Sequence, residues 1–429
     1  MGNHSGTPPN NLAPHNSMTR TTVEGMLADI DGVRHGQIVI ENGLITAVGP
    51  GLGKPDHVFG DGCLVFAGMG DVHIHAREDV TGRDNHKETF ATASAAALHG
   101  GVVHVADMPN NPAAPIDDAS YAAKERLLRS QNLPVHFTLY AGIGPGTRPL
   151  SRHVPYKAYM GPSVGELFFH SLEELDATLA HYRGRPVSFH CEDPVLLGRH
   201  KGAATHEARR PPECELSATR FALAMVEKHG LAGKLCHYSV GEGLPLIRAA
   251  KAAGLPVTAE VTPHHVYFDT AMLTDANRPW MQMNPPLRSP ADRAAMLEAL
   301  RDGTADYLAT DHAPHTAEEK RHGVSGQPHL DTFGPFVTWL LVEQGFSPAR
   351  VAAICSANPG AFVNAFTADR YGRLLPGYVG SLTVLDLRRP MTVRRDELRT
   401  RCGWSPFEGV TFPGSVAAVF VRGRRVGSD

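Results

Sequence analysis

The chain has 429 residues, more than the roughly 250–300 at which a single hydrophobic core usually stops growing, so we expect one large domain and a small accessory one. Its 42% hydrophobic and 20% charged residues are ordinary for a soluble globular enzyme. The formal net charge of −3 argues against bulk attraction to nucleic acid or to an anionic membrane, and no apolar run approaches the ~18–20 residues of a membrane span.

The numbers and spacing of histidine and cysteine residues indicate which kind of site and which redox environment to expect. The 24 histidines are an unusual number, and imidazole is both the commonest metal ligand in proteins and the usual titrating group near neutral pH. The 6 cysteines are scattered without a Cys-x-x-Cys pair. We therefore expect reduced thiols in a cytoplasmic protein that has a histidine-rich site.

The two ends of the chain are predicted to form one small β domain. Residues 1–20 are rich in Pro, Asn and Gly and are expected to be disordered. From residue 23 to 50 short alternating apolar segments separated by turn residues predict β-hairpins, and similar segments return near the C-terminus in GSLTVLDL and SVAAVFVRGRRV. We expect a composite β-sandwich built from residues 21–66 and 376–429.

The long middle of the chain, residues 67–375, alternates short apolar strands with segments of helical periodicity. Eight such strands over about 300 residues favour a (β/α)8 TIM-type barrel in an α/β protein. A doubly wound open sheet is the alternative, but no Gly-x-Gly-x-x-Gly follows the first strand. The eight predicted strands lie in GCLVFAGMGDVHIH, GGVVHVADMPN, PVHFTLYAGI, VPYKAYM, PVSFHCED, KLCHYSV, PVTAEVTPHH and DYLATDHAPH.

Polar side chains fall at or near the ends of these predicted strands. In a barrel the carboxyl ends of all strands share one face, and that face carries the active site. A lone histidine at such a position is usually a core or rim residue with its hydrogen bonds made. That explanation does not account for polar residues at the ends of so many successive strands. The residues are His73 and His75, Asn110, Lys157, His190, His237, His264 and His265, and Asp311.

These residue types suit a pair of divalent cations. Two imidazoles and a carboxylate can hold one Zn²⁺, and two further imidazoles can hold a second. Two neighbouring cations repel, so an anionic bridge is needed, and Lys157 could supply it as a carbamate once CO2 has carboxylated its amine. A hydroxide bridging the metals would be the nucleophile, and Asp311 the general base and then the general acid.

At this point the chain resembles a known family, the dihydroorotases of the amidohydrolase superfamily. The matching motifs run in order from about residue 64 to 365, and SPFEG extends them into the closing segment. They are HIHAR (73–77), DMPNNP (107–112), YKAYM (156–160), FHCE (189–192), CHYS (236–239), EVTPHH (260–265), MNPPLRS (283–289), TDHAPHTAEEK (310–320) and SPFEG (405–409).

The resemblance implies roles for individual residues. One zinc would be held by His73, His75 and Asp311, the other by His190 and His237, with N6-carboxylated Lys157 as the bridge. The substrate carboxylate would be clamped by Arg77, with help from Asn110 and His315, because a guanidinium makes a bidentate contact that an ammonium cannot. Asn284 would contact the ring amides.

Two further implications concern the rim of the site. Some members of the family bind a third zinc, for which Cys236, Glu260 and His265 are the candidates; a buried thiol and ordinary outer contacts are the simpler account. After Lys157 the family's mobile lid carries a paired threonine or Thr-Phe, whereas this chain has Gly161-Pro162-Ser163-Val164. Ser163 is the candidate lid hydroxyl, and the departures leave the substrate fit open.

The leading hypothesis is a dihydroorotase, which interconverts (S)-dihydroorotate and N-carbamoyl-L-aspartate in de novo pyrimidine (UMP) synthesis. One alternative is an allantoinase- or hydantoinase-like enzyme acting on another cyclic amide. The other is a non-catalytic dihydroorotase-like subunit of aspartate transcarbamoylase. We expect a small-molecule substrate, no nucleic-acid or membrane partner and a homodimer, with aspartate transcarbamoylase as a candidate partner enzyme.

Overall fold

The computed structural model describes residues 20–163 and 165–426. The expected disorder of residues 1–20 therefore concerns residues 1–19, which lie outside the described part, and Arg20, which instead begins the first strand. In the described part no helix is both long and apolar enough to cross a membrane.

Strands from both ends of the chain form one sheet. Its order is β19-β18-β15-β5-β1-β2-β3, and β4 pairs with β1. Alternate side chains of these strands form a small core of their own, including Val23, Ile38, Val65 and Phe420. The strands are β1 (Arg20–Asp29), β2 (Gly32–Glu41), β3 (Leu44–Gly49), β4 (His57–Val58), β5 (Cys63–Ala67), β15 (Leu382–Asp386), β18 (Ser415–Val421) and β19 (Arg424–Val426).

The middle of the chain is a closed parallel barrel, as expected. Successive strands pair in parallel, and a parallel bridge between Ile74 and His312 joins the eighth strand to the first. The third barrel strand is interrupted at Tyr140 and is assigned as two pieces. The strands are β6 (Met69–Ile74), β7 (Val102–Asp107), β8 (His136–Leu139), β9 (Ala141–Ile143), β10 (Tyr156–Tyr159), β11 (Pro186–His190), β12 (Ala232–Leu235), β13 (Val257–Val261) and β14 (Tyr307–Leu308).

Helices follow most barrel strands, and their starts are set by local chemistry. Side chains such as Thr89, Asp117 and Ser289 accept hydrogen bonds from the first-turn N–H groups, which would otherwise be unsatisfied. The helices are α1 (Phe90–His99), α2 (Asp118–Ser130), α3 (Leu172–Leu179), α4 (Pro194–His200), α5 (His206–Arg209), α6 (Pro212–His229), α7 (Leu244–Ala252), α8 (Pro263–Tyr267), α9 (Pro290–Asp302), α10 (Ala317–Arg321), α11 (Phe333–Val342), α12 (Pro348–Ala352) and α13 (Asn358–Asn364).

At the first of its two passages between the composite sheet and the barrel, the chain has a single linking residue. β5 belongs to the composite sheet and β6 to the barrel, with Gly68 between them. A Cβ on Gly68 would lie 2.3 Å from Cγ2 of Val103, so the close approach of the chain to β7 requires glycine here.

Part of the C-terminal segment packs differently from the expectation. The hairpin of β16 (Met391–Thr392) and β17 (Thr411–Phe412) is separate from the composite sheet. Phe407 and Phe412 belong to the barrel core, where they make edge-to-face and tilted ring contacts with Tyr267 and Phe336. The reason is burial of these large aromatic side chains, for which the barrel helices provide the apolar surface. The domain boundaries at residues 66 and 376 stay predictions.

Candidate metal centre and active site

The barrel brings three predicted ligands from its first and eighth strands together. His73 lies in β6, His75 follows it directly, and Asp311 lies three residues after β14. Nε2 of His73 and Nε2 of His75 lie 3.1 and 3.0 Å from Oδ1 of Asp311. All three side chains are buried. The i, i+2 spacing therefore places both imidazoles on the same side of the strand, as predicted.

A second pair of imidazoles lies beside this group. His190 ends β11, and His237 lies two residues after β12. Nδ1 of His190 lies 2.9 Å from Nε2 of His237, and the ring centroids of His237 and His73 are 5.3 Å apart. Ligand atoms of His73, His237 and Asp311 all lie within 4.8 Å of one another. The two predicted halves therefore form one continuous cluster.

Lys157 is enclosed in the same region. It is the second residue of β10, its side chain is fully buried, and its Nζ makes no hydrogen bond within the described structure. Nζ lies 5.1 Å from the ring centroid of Tyr159. A buried primary amine without an acceptor is unusual, because desolvating an ammonium without a partner is costly.

Three of the four imidazoles have a polar partner at the ring nitrogen that faces away from the cluster. Nδ1 of His73 contacts the carboxylate of Glu260, Nδ1 of His75 lies 2.6 Å from Oδ1 of Asn110, and Nε2 of His190 lies 2.8 Å from Glu192. Metal-binding histidines typically have such a partner, which fixes the ring orientation and the tautomer.

Charges around the cluster are strongly coupled. Although burial acts in the opposite direction, the carboxylates of Glu260 and Asp311 raise the pKa of His73 well above its usual value. Burial also opposes the shift at Asp311, but His73 and His75 hold the pKa of its carboxyl well below the usual range. Burial, together with His190 and Lys157, lowers the pKa of His237 well below its usual value. The ionised carboxylates and the neutral imidazole of His237 are the forms that bind a cation.

The cluster fits divalent cations. Its donors are imidazole nitrogens and a carboxylate, which suit zinc or a similar ion, and they converge at the carboxyl ends of the barrel strands. The buried amine of Lys157 lies close enough to act electrostatically on His73, His190 and His237. Nδ1 of His237 is also buried and makes no hydrogen bond with any described residue.

A pocket opens directly over the cluster. Its wall contains most of the predicted metal ligands and several residues to which the sequence had not assigned a role, namely Tyr159, Ala313, Ser325 and Gly326. The lining is His73, His75, Asn110, Tyr159, Ser163, His190, His237, Asn284, Asp311, Ala313, Ser325 and Gly326.

Arg77 and His315 lie together, but behind this wall. Nη2 of Arg77 is 3.2 Å from Nε2 of His315, and Nε donates to the carbonyl of Pro314. Burial lowers the pKa of His315 to about 3, so this imidazole is neutral at pH 7. Neither side chain is in the pocket lining, although the neighbouring Ala313 is.

Asn284 and Ser163 meet on the other side of the pocket. Nδ2 of Asn284 donates to Oγ of Ser163 at 3.4 Å, while its buried Oδ1 makes no hydrogen bond within the described structure. An unpaired buried acceptor in a pocket wall is a natural contact for an N–H group of a ligand.

The grouping proposed for a third zinc needs correction. Cys236 and Glu260 lie close to His73 and not to His265. The ring of His265 is instead held by Thr262 and by the carbonyl of Pro285, because it lies in α8 rather than at the end of β13. Glu260 also forms an ion pair with the buried ammonium of Lys234, which already neutralises its charge.

The chain matches known proteins over nearly its whole described length. A family model described as the amidohydrolase family matches residues 64–426. A dihydroorotase of Brevibacillus brevis is 33% identical over 420 residues, covering 91% of this chain and 94% of the relative. A dihydroorotase of Pyrococcus furiosus is 30% identical over 398 residues, covering 91% and 88%.

Solved structures support the architecture. An L-hydantoinase (dihydropyrimidinase) of Arthrobacter aurescens superposes with a TM-score of 0.85 at 25% identity, over 95% of this chain and 96% of the other. A D-hydantoinase superposes with a TM-score of 0.82 at 20% identity, over 96% of both chains. At 20% identity the likeness shows the fold alone.

Proposed function

The chain belongs to the amidohydrolase family, and from that premise we propose that it catalyses the reversible hydrolysis of (S)-dihydroorotate to N-carbamoyl-L-aspartate in pyrimidine (UMP) synthesis. The observation that carries the proposal is the buried cluster of imidazoles, carboxylate and lysine under the pocket, with the Arg77 guanidinium close by. The similarity to curated dihydroorotases over about nine-tenths of the chain supports the same substrate.

In this proposal the ligands divide into two sets. His73, His75 and Asp311 would hold one zinc ion, His190 and His237 the other, and the carbamate of Lys157 would join them. When bound, the two cations supply a hydroxide nucleophile and polarise the scissile carbonyl. Glu260 pairs with Lys234 and His265 lies in α8, so Cys236, Glu260 and His265 do not form one ligand set for a third zinc.

The chain's own residues bind the ring and move the proton. Asp311 accepts the proton of the attacking hydroxide and donates it to the ring nitrogen as the amide bond breaks. The Oδ1 acceptor of Asn284 receives a ring N–H, and Ser163 holds the amide of Asn284 in place. Asn110 fixes the ring of His75 and forms part of the pocket wall.

Arg77 is proposed to recognise the substrate carboxylate, with His315 beside it. The guanidinium is buried, and its hydrogen-bond contacts are the carbonyl of Pro314 and the neutral imidazole of His315, so within the described residues no carboxylate hydrogen-bonds to it. The pocket lining contains Ala313 and Gly326 but not Arg77. The substrate carboxylate must therefore pass between these wall residues to reach Arg77.

The second candidate, hydrolysis of a neutral ring such as hydantoin or allantoin, is favoured by that same placement of Arg77 behind the wall. The decisive experiment compares Arg77→Met with wild type on dihydroorotate and on hydantoin. We expect kcat/KM for dihydroorotate to fall about 10- to 100-fold, since charge-assisted hydrogen bonds contribute about 1.5–3 kcal/mol. Hydantoin turnover should change little.

Arg373→Met is the matched control, because Arg373 is a partly buried arginine that pairs with Asp29 in the composite sheet. It should leave both reactions unchanged. Equal losses on the two rings in Arg77→Met, or a wild type that prefers hydantoin, would favour the second candidate.

Assembly and location belong to the same proposal. A non-catalytic role beside aspartate transcarbamoylase would not need the ligand cluster, and metal analysis with activity assays after adding zinc and bicarbonate tests it. The homodimer and any complex with aspartate transcarbamoylase are checked by light scattering of the separate and mixed proteins. The six cysteines are all free thiols, which supports a cytoplasmic location.

A further inference from the structure

Lys320, in α10, is a buried cation bound by backbone alone. Its side chain is fully buried, and Nζ donates to the carbonyls of Val324, Gln282 and Gly326 at 2.7, 2.8 and 2.9 Å. Within the described residues no carboxylate pairs with it, and the ring of Trp404 covers it at 5.7 Å. An ammonium has three N–H donors, and all three are used.

The three carbonyls belong to two segments that both form the pocket wall. One is the segment of residues 282–284, which carries Asn284, and the other is the wall loop, residues 323–327, which carries Ser325 and Gly326. The carbonyl of Gln282 accepts from Lys320 and also from the backbone N–H of Gly326, at 3.0 Å. Lys320 therefore bridges the two segments and reinforces the direct hydrogen bonds that Gln282 makes with Gly323, Ser325 and Gly326.

The wall loop in turn lies tightly against the proposed carboxylate-binding residues. Gly326 has φ +135, and a Cβ there would lie 2.5 Å from the carbonyl of Ala313 and 2.9 Å from Cδ2 of His315. Since His315 contacts Arg77, a displacement of the wall loop changes the space in front of Arg77.

We propose that Lys320 is a positioning residue that sets the width of the substrate pocket by fixing the wall loop against the segment of Asn284. It deepens the proposed function and rests on it, because it takes this pocket to be the substrate site. Lys320 touches none of the predicted metal ligands, so its effect falls on substrate binding and not on metal loading. Burial lowers the pKa of Lys320 to about 7, as expected for a cation held only by carbonyl dipoles.

The test replaces the side chain while sparing the metal ligands. Lys320→Met keeps the length of the side chain and removes all three donors, whereas Lys320→Arg keeps donors and charge. We expect Lys320→Met to raise KM about tenfold or more with kcat changed less than about threefold and zinc content unchanged, and Lys320→Arg to recover part of the KM. An unchanged KM in folded Lys320→Met overturns the proposal, because a purely structural lysine would alter only the amount or stability of active enzyme.

Lys251→Met is the control, since Lys251 also donates to two backbone carbonyls, those of Gly303 and Thr304, but does not contact the pocket wall. Its KM should match wild type. If Lys320→Met fails to fold, Lys320→Gln decides in its place, and an unchanged KM again overturns the proposal.

Hydrogen exchange separates this proposal from the substrate assignment. Backbone amides of residues 323–327 should exchange faster in Lys320→Met than in wild type, whichever ring the enzyme opens, and unchanged exchange overturns the positioning role. If wild type does not turn over dihydroorotate, the substrate assignment fails alone, and KM is then compared on the cyclic amide that it does hydrolyse.

Discussion

At the scale of single residues, backbone strain is concentrated at the candidate site. Six non-glycine residues of the described chain have positive φ, and three of them are Arg77, His237 and Asp311, with φ of 63, 36 and 47. The left-handed conformation costs roughly 1–3 kcal/mol for such residues and persists only where the surrounding structure enforces it. Clustering of three such residues around one pocket is typical of a functional site.

Asp311 offers a substitution that removes charge and preserves shape. Asparagine tolerates positive φ and has nearly the same volume, so Asp311→Asn should fold. We expect kcat to fall about 10²- to 10⁴-fold, because a general acid–base group is lost along with a metal ligand. Steady-state kinetics with zinc analysis on the same samples measures both effects.

Asp331→Asn is the control for that substitution. Asp331 is also buried, but its carboxylate accepts from the backbone N–H groups of Arg399 and Thr400. It should lower stability and leave kcat nearly unchanged. Activity of Asp311→Asn within tenfold of wild type would remove Asp311 from the acid–base role.

At the scale of elements, the contact between β6 and β7 positions the first pair of ligands. His104 of β7 pairs with Gly70 of β6 and packs its ring over it, so that a Cβ at Gly70 would lie 1.8 Å from Cε1 of His104. β6 carries His73 three residues further on. The register of this strand pair therefore depends on a residue without a side chain.

Gly70→Ala should destabilise the barrel. We expect a loss of about 1–3 kcal/mol or more in the free energy of unfolding, because the extra methyl group overpacks a closed contact. Denaturant unfolding measures it. In Gly49→Ala, at the end of β3, the added Cβ meets nothing within 4 Å, so the change should stay within about 0.5 kcal/mol. Equal effects of the two substitutions would contradict this account of the contact.

At the scale of the whole molecule, buried histidines link stability to pH. Burial lowers the pKa of His104 to about 3, against about 6.5 for an unfolded imidazole. Between these values the unfolded chain takes up a proton that the folded chain does not. The part of the folding stability that depends on a neutral His104 is therefore fully present above pH 6.5 and is lost as the pH falls towards 3. The free energy of unfolding then changes by up to about 1.4 kcal/mol per pH unit for each such histidine.

The same argument predicts the behaviour of His104→Leu. Its free energy of unfolding should depend less steeply on pH between 5 and 6.5 than that of wild type, by about one proton. Chemical denaturation at several pH values provides the measurement. His35→Leu, at an exposed position on β2, serves as the control for the removal of an imidazole. Parallel curves for wild type and His104→Leu would show that His104 titrates alike in both states.

The architecture and the metal-ligand cluster could be predicted from the order of residues along the chain. Seven of the eight predicted segments contain a barrel strand, the sixth, KLCHYSV, overlaps the last two residues of β12, and both chain ends enter one sheet. His73, His75, His190, His237 and Asp311 converge because parallel strands of a barrel must place their carboxyl ends on one face. The periodicity of apolar residues and the order of the strands along the chain are enough for that inference, because it does not depend on how individual side chains pack.

The residues that surround the ligand cluster could not be predicted from the sequence, because their positions depend on long-range packing. The contact of Glu260 with His73 joins residues 187 positions apart, and His265 turns away into α8. Tyr159 ends β10, Lys320 lies in α10 and Gly326 lies in the wall loop, and only the packing of these distant segments against one another brings them to the pocket. Strand periodicity is a local property that a sequence displays, whereas a loop's path is set by contacts that exist only once the barrel has closed.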